Sequence, residues 1–305
     1  MTKTKPDFNL SEHEMWKWDP MTNYLTDLLP DETFGICVKL SGGADSSIIY
    51  YRLCKEIAER NLNIPMYVAT LDTDIKPWYS HYAKKVIEFT AERTGIRPVE
   101  HNITLLSQPW DDAKYTSVQD EVAYKTLHEG KTNVMFGGLT QNPPPEDQAA
   151  AAMIVPGIKV IAELDDPESW PTDNPERRFE YPPPTNEYDT VLRLCGKRDI
   201  RRDDLSGKVI RGHDMGSANI PFFAIHPFIH RDKKESTAQM YIDNDMVDDL
   251  LPLTYSCEMD YDHNRKVNLD TIMRTDLSGG PRYEQEHCGR CWFCLERAYA
   301  FGRLV

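Results

Sequence analysis

The stretch VKLSGGADSSIIYY, residues 38–51, constrains this chain more than any other. An apolar run, FGICVKL at 34–40, enters Ser41-Gly42-Gly43, and an amphipathic segment leaves at once. That order predicts a buried strand, a tight loop and a helix over 45–60. Paired glycines at such a junction let the backbone approach a ligand and take up conformations that other residues resist. The first turn of the following helix offers unpaired N–H groups and the positive end of its dipole, so the junction suits an anion. Ser41, Ser46 and Ser47 add hydroxyl donors. Asp45 beside a phosphate is repulsive unless it caps the helix or holds Mg2+ that bridges the phosphates. No lysine follows the glycines and the spacing G-x-x-x-x-G-K-[ST] is absent, so the common P-loop mechanics do not apply. The plain alternative is a tight turn with an Asp/Ser helix cap; a strand before and a helix after count against it.

Downstream, MYVATLDTD at 66–74 reads as a second strand ending in Asp72, Thr73 and Asp74. A helix is expected over 78–95 with Gly95 as its stop, a strand over 97–105, a helix over 117–130 and a fourth strand over 132–138. Alternation of this kind predicts an α/β fold with a mostly parallel sheet. Ligands of such sheets sit at the carboxyl ends of the strands, where Ser41–Ser47, Asp72–Asp74, Gly137 and Gly138 would converge. From about 141 to 215 the pattern fails in Pro-rich, acidic sequence such as QNPPPED and EYPPPTNEYD. Trp170, Phe179 and Tyr181 mark it as an ordered excursion over the active face instead of a linker. Globular patterning returns at 219–255, with a helix expected over 234–250. The chain is thus divided into an N-terminal extension (1–33), an α/β core that carries the anion-suited loop (34–140), a Pro-rich insertion (141–218) and a C-terminal region (219–305).

Charge narrows the substrate. With 35 Lys+Arg against 49 Asp+Glu the net charge is −14, a field that repels nucleic-acid backbones and favours a small-molecule substrate. The chain opens without an apolar leader and contains no bilayer-length apolar stretch, so a cytoplasmic protein without membrane contact is expected. The seven cysteines are odd in number and three lie close together, which in an intracellular chain suggests a metal before disulfides. HCGRCWFCLER sets Cys288, Cys291 and Cys294 at C-x2-C-x2-C, with Cys257 upstream in LTYSCEMD. Four thiolates suit a closed, structural Zn2+ site; an iron–sulfur cluster uses the same ligands, and His287 or His263 could replace Cys257. Cys37, Cys54 and Cys195 read as packing residues, while His226 and His230, separated by Pro227, read as surface or phosphate-proximal.

SGGADSS resembles the SGGxDS signature of the PP-loop ATP pyrophosphatase superfamily. The resemblance implies an adenine nucleotide alpha hydrolase-like, Rossmann-like domain that cuts Mg-ATP between its α and β phosphates and adenylates a substrate oxygen. It places the nucleotide against Leu40, Ser41, Gly42, Gly43, Asp45, Ser46, Ser47, Thr70, Leu71 and Gly137. The order of that loop, then Asp232-Lys233-Lys234-Glu235, then Thr254-x-Ser256-Cys257, then CGRCWFCLER resembles the 7-cyano-7-deazaguanine (preQ0) synthase family, phage-type members included. This second resemblance implies catalytic roles for Asp45 and for Lys233, the latter neutralising phosphate charge, and zinc on Cys257, Cys288, Cys291 and Cys294 in a helical C-terminal region. It implies ATP, Mg2+ and Zn2+ as cofactors and conversion of a 7-carboxy-7-deazaguanine by ammonia to amide and nitrile, feeding queuosine or DNA modification. A homodimer is compatible with the reading. Phe136, Asn142, Phe222, Phe223 and Glu258 are candidates for holding the base, with core packing the leading role for each phenylalanine. The family's usual Asp-Cys-Arg pattern after strand four is absent, and the gap from Cys257 to Cys288 is longer than usual. The competing readings are a tRNA sulfur transferase, a ligase that stops at the amide, and a non-catalytic nucleotide-binding zinc protein.

Overall fold

A computed structural model describes residues 23–29, 33–73, 78–107, 122–127, 129–138, 210–211, 221–228, 232–257, 274–275, 281–282 and 292–304, with Val118, Thr140, Asp147 and His287. Strand β1 (Ile36–Lys39) runs into helix α1 (Ala44–Glu59), followed by β2 (Met66–Thr73), α2 (Tyr79–Thr94), β3 (Glu100–Leu106) and β4 (Val134–Phe136). Two later strands, β5 (Ile210–Arg211) and β6 (Pro221–Ile225), complete a sheet of order β3-β2-β1-β4-β6-β5. Within this sheet all pairings are parallel except that of β5 with β6. The expected α/β class and parallel sheet are therefore observed.

Strand β1 lies at the centre, with Ile36 opposite Met66 on one side and Val134 on the other. Successive connections leave it first toward β2 and β3, then toward β4 and β6, so its carboxyl end is the point where strand order reverses, the place where sheets of this kind bind ligands. Alternate residues of β1 serve two cores. Ile36 and Val38 pack with Ile48, Ile49 and Leu53 of α1 and with Val86 of α2, while Cys37 packs with Tyr67, Leu127 and Met135 on the opposite face. Cys37 and Cys54 are buried packing residues, as expected, and burial pushes both thiols up, to about 11 and about 12.

Two sequence expectations are corrected. The strand series does not end at β4, because Pro221–Ile225 adds a further parallel strand beside it. Its leading proline lies where β6 meets the short β5, a position that tolerates a residue without an N–H. The helix expected over 234–250 is also shorter: a wide turn at Lys234–Ala238 continues into α3 (Gln239–Asp243) and stops there. Asp245 takes a left-handed backbone (φ 56°) and the Met246 N–H returns to the Tyr241 carbonyl, closing the helix. A last helix, α4, covers Trp292–Phe301. Among the described residues no helix is long and apolar enough to cross a membrane.

Candidate nucleotide loop and metal centre

At the carboxyl end of β1, Gly42 has φ +77° and packs so tightly on α2 that an added Cβ would lie 2.5 Å from the Tyr82 Cβ and 2.8 Å from the Ala83 nitrogen. Glycine is thus required there twice, by dihedral angle and by space. Gly138, just after β4, approaches the start of α1 equally closely; an added Cβ would lie 2.6 Å from the Ser46 nitrogen. Gly137 packs on the ring of His226, whose Nδ1–H donates to the Gly137 carbonyl at 3.2 Å. His226 is 1% exposed, so the expectation of a surface histidine is corrected: the ring fills the space that a residue without a side chain leaves.

Within the loop the hydroxyls are largely engaged. Ser47 donates to the Gly43 carbonyl at 2.6 Å and Ser46 to the same oxygen at 3.3 Å, while the Ser41 and Gly43 N–H groups donate to Ser46 Oγ and Ser41 Oγ. Leu40, Thr70 and Leu71 are buried. The Thr70 hydroxyl donates to the Leu40 carbonyl at 2.6 Å and so receives the Nε2–H of His101 at 2.8 Å. Asp72 caps α2 by accepting the N–H and hydroxyl of Ser80 at 2.8 and 2.5 Å.

Burial, with Lys84 nearby, lowers the His101 imidazole to about 4. A histidine held neutral in the fold and near 6.5 when unfolded binds fewer protons in the native state across that interval. Its full contribution is present above 6.5 and is lost as pH falls toward 4. Allowing for partial exposure, the loss is on the order of 1–2 kcal/mol. Denaturant titrations at pH 7 and pH 4.5 should show a smaller difference for His101→Gln than for the parent chain.

Asp45 occupies the first turn of α1. Its two oxygens are taken by Lys233 Nζ at 3.0 Å and by the Thr237 hydroxyl at 2.5 Å. Lys233 is 2% exposed and also lies 3.0 Å from the Glu296 carboxylate. Burial pulls the ammonium's pKa down, but Asp45 and Glu296 outweigh it and hold it above the ordinary lysine value. The ammonium therefore lies beneath the loop between two acids, and the charge that it neutralises directly is theirs. Asp232 places it: Oδ1 accepts the N–H groups of Lys234 and Glu235 at 2.8 and 2.9 Å, fixing the turn that carries Lys233, and Oδ2 receives the Tyr299 hydroxyl at 2.9 Å.

Four consecutive residues, Thr254 to Cys257, run from beneath this loop to a second cluster. Thr254 Oγ1 accepts a hydrogen bond from the buried Arg297 at 3.0 Å, the Tyr255 N–H donates to the Gly42 carbonyl at 2.9 Å, and Ser256 Oγ accepts the Ala44 N–H at 3.2 Å. Burial lowers the Arg297 guanidinium to about 10. The Tyr255 ring stacks between Tyr82 (4.9 Å between centroids) and His287 (5.0 Å).

The ligand atoms of Cys257, His287 and Cys294 all lie within 4.8 Å of one another. Both thiols are buried, and burial lowers the His287 imidazole, which favours the neutral ring that a metal requires. Two sulfurs and a ring nitrogen form a donor set for zinc or an iron–sulfur cluster. Cys288 and Cys291, the other expected ligands, lie outside the described residues, as do Cys195, His230, His263, Asn142 and Glu258. Phe136, a candidate for holding the base, is wholly buried in the core. Sequence reasoning missed Glu296, Thr237 and the contacts of Tyr255 and Ser256. Only Glu296 had a local signal, an acid two residues past the last cysteine of a buried helix.

No protein-family model matches the chain, and no curated protein does. A solved structure with a related course of chain is "U34-tRNA thiolase NcsA from Methanococcus maripaludis with its [4Fe-4S] cluster". The two are 13% identical with a TM-score of 0.39 over 81% of this chain and 67% of that one, a likeness too slight to bear on chemistry.

Proposed function

We propose that the chain is an ATP pyrophosphatase of the PP-loop type, which activates the carboxylate of a 7-deazaguanine base for attack by ammonia. The observation that carries the reading is the Ser41–Ser47 loop at the end of the central strand, where strand order reverses, with Asp45 in the first turn of α1 and Lys233 beneath it. The order of parts supports the finer assignment: the segments around Lys233 and Ser256 meet one loop, and Cys257, next after Ser256, joins His287 and Cys294.

In the proposed reaction a carboxylate oxygen attacks the α phosphorus of Mg-ATP, and pyrophosphate leaves with the electrons of the α–β bridge. The positive end of the α1 dipole stabilises the charge that grows on this leaving group. Lys233 holds Asp45 compensated, so the loop receives an anion without a bare carboxylate beside it. Ammonia then adds to the activated carbonyl, AMP leaves, and the extra proton is lost, giving the amide. A second activation at the amide oxygen, followed by loss of AMP and protons, gives the nitrile. A metal on Cys257, His287 and Cys294 would supply structural cross-linking. The test is mass analysis after incubation with Mg-ATP, ammonium and 7-carboxy-7-deazaguanine. Amide or nitrile formation supports the assignment; unchanged acid with nucleotide consumed on another carboxylate would move the substrate class.

A further inference from the structure

We infer that Ser256 is a positioning residue through which the Cys257–His287–Cys294 centre sets the shape of the nucleotide loop, so that metal occupancy and nucleotide affinity are coupled. The inference rests on the nucleotide reading above. Every residue of the Thr254–Cys257 segment is committed at one end or the other. Tyr255 holds the Gly42 carbonyl at 2.9 Å, and Ser256 Oγ holds the Ala44 N–H at 3.2 Å. The next residue, Cys257, belongs with His287 and Cys294 to the trio whose ligand atoms converge. A Cβ added at Gly43 would lie 3.3 Å from Ser256 Oγ, so serine also abuts the loop where a bulkier side chain would press on it. From the other side of the centre His287 stacks on Tyr255, whose opposite face meets Tyr82, the residue against which Gly42 is packed. Cys294 and Glu296 lie two positions apart on α4, and Glu296 holds Lys233 beneath Asp45. Three routes therefore lead from the centre to the first turn of α1, and the shortest is the single peptide step from Cys257 to Ser256.

A bound metal fixes Cys257, His287 and Cys294 relative to one another, which stiffens all three routes. Releasing it frees the segment that holds the Gly42 carbonyl and the Ala44 N–H, the backbone groups that shape the proposed phosphate cradle. Coupling of this kind is reciprocal: whatever factor the metal contributes to nucleotide affinity, the nucleotide contributes to metal affinity.

The test uses the full chain and the non-cleavable probe α,β-methylene-ATP with Mg2+. Its dissociation constant is measured by calorimetry for Zn2+-loaded and chelator-stripped protein, and Zn2+ affinity is measured by competition with a chromophoric chelator with and without the probe. Far-ultraviolet circular dichroism monitors folding. The expected result is an affinity for the probe about five- to ten-fold weaker in the stripped protein, matched by the same factor in Zn2+ affinity. Ser256→Ala should retain a full complement of zinc and weaken the probe in the loaded protein, with the reciprocal factor reduced below that of the parent. That reading holds even if stripped protein unfolds. Binding that is equal in loaded parent and Ser256→Ala protein would overturn the coupling while leaving the nucleotide site intact. Absence of probe binding to loaded parent protein would overturn the nucleotide reading itself and this inference with it.

Discussion

Lys233→Met is expected to destabilise the protein by about 3–5 kcal/mol and to abolish ATP cleavage. Removing the ammonium leaves Asp45 and Glu296, each 3.0 Å from the vacated nitrogen, facing one another in a buried gap. Two acids so placed do not both remain ionised; one takes up a proton, and its folded-state pKa rises. A carboxyl raised in the fold binds more protons there than in the unfolded chain, so the variant's stability falls as pH rises and recovers as pH falls. Denaturant titrations should therefore show a deficit at pH 7 that narrows toward pH 5. An unchanged midpoint at pH 7 would mean that the two acids reach solvent once the lysine is gone. Turnover should be lost under both conditions, because the loop then faces the nucleotide with an uncompensated Asp45 or a distorted first turn.

Gly42→Ala is the second large effect. The left-handed φ of +77° costs alanine about 1 kcal/mol, and the added methyl meets backbone atoms of Tyr82 and Ala83 that cannot swing aside. Overpacking of that kind adds roughly 1–3 kcal/mol, and the loop or α2 must shift to relieve it. The expected outcome is a folded but less stable protein with nucleotide affinity reduced by an order of magnitude or more, read by denaturation and by calorimetry with Mg-ATP. Gly95 is a useful contrast: it also has a positive φ, but an added Cβ there meets nothing within 4 Å, so Gly95→Ala should show the dihedral cost alone and leave binding unchanged.

The contrast between local and distant contacts explains what the sequence revealed. The strand, loop and first helix were legible because each carries a local signal: the apolar run at 34–40, the glycine pair and the amphipathic 44–59. The same holds for the segments around β2 and α2, where Gly95 ends the helix in a left-handed conformation. Strand β6 was harder, because PFFAI opens on a proline and follows a long tract without periodicity. The end of α3 was signalled by Asn244-Asp245, but such residues also occur on exposed helix faces. Ser256 meets Ala44 across more than two hundred residues of chain, and no local pattern announces which hydroxyl will reach a given N–H. Lys233 was identified through resemblance as a phosphate partner; its two carboxylate neighbours emerge only from the fold, since a lysine that is 2% exposed requires compensating charge close by.

The loop after β1 is proposed to direct cleavage of ATP between its α and β phosphates. The most direct measurement is nucleotide chromatography of Mg-ATP incubated with 7-carboxy-7-deazaguanine and ammonium, comparing the parent chain with Asp45→Asn. AMP and pyrophosphate, formed in equal amounts by the parent and reduced at least a hundredfold in the variant, are the expected result. ADP and phosphate as products, or AMP formation that survives Asp45→Asn, would contradict it.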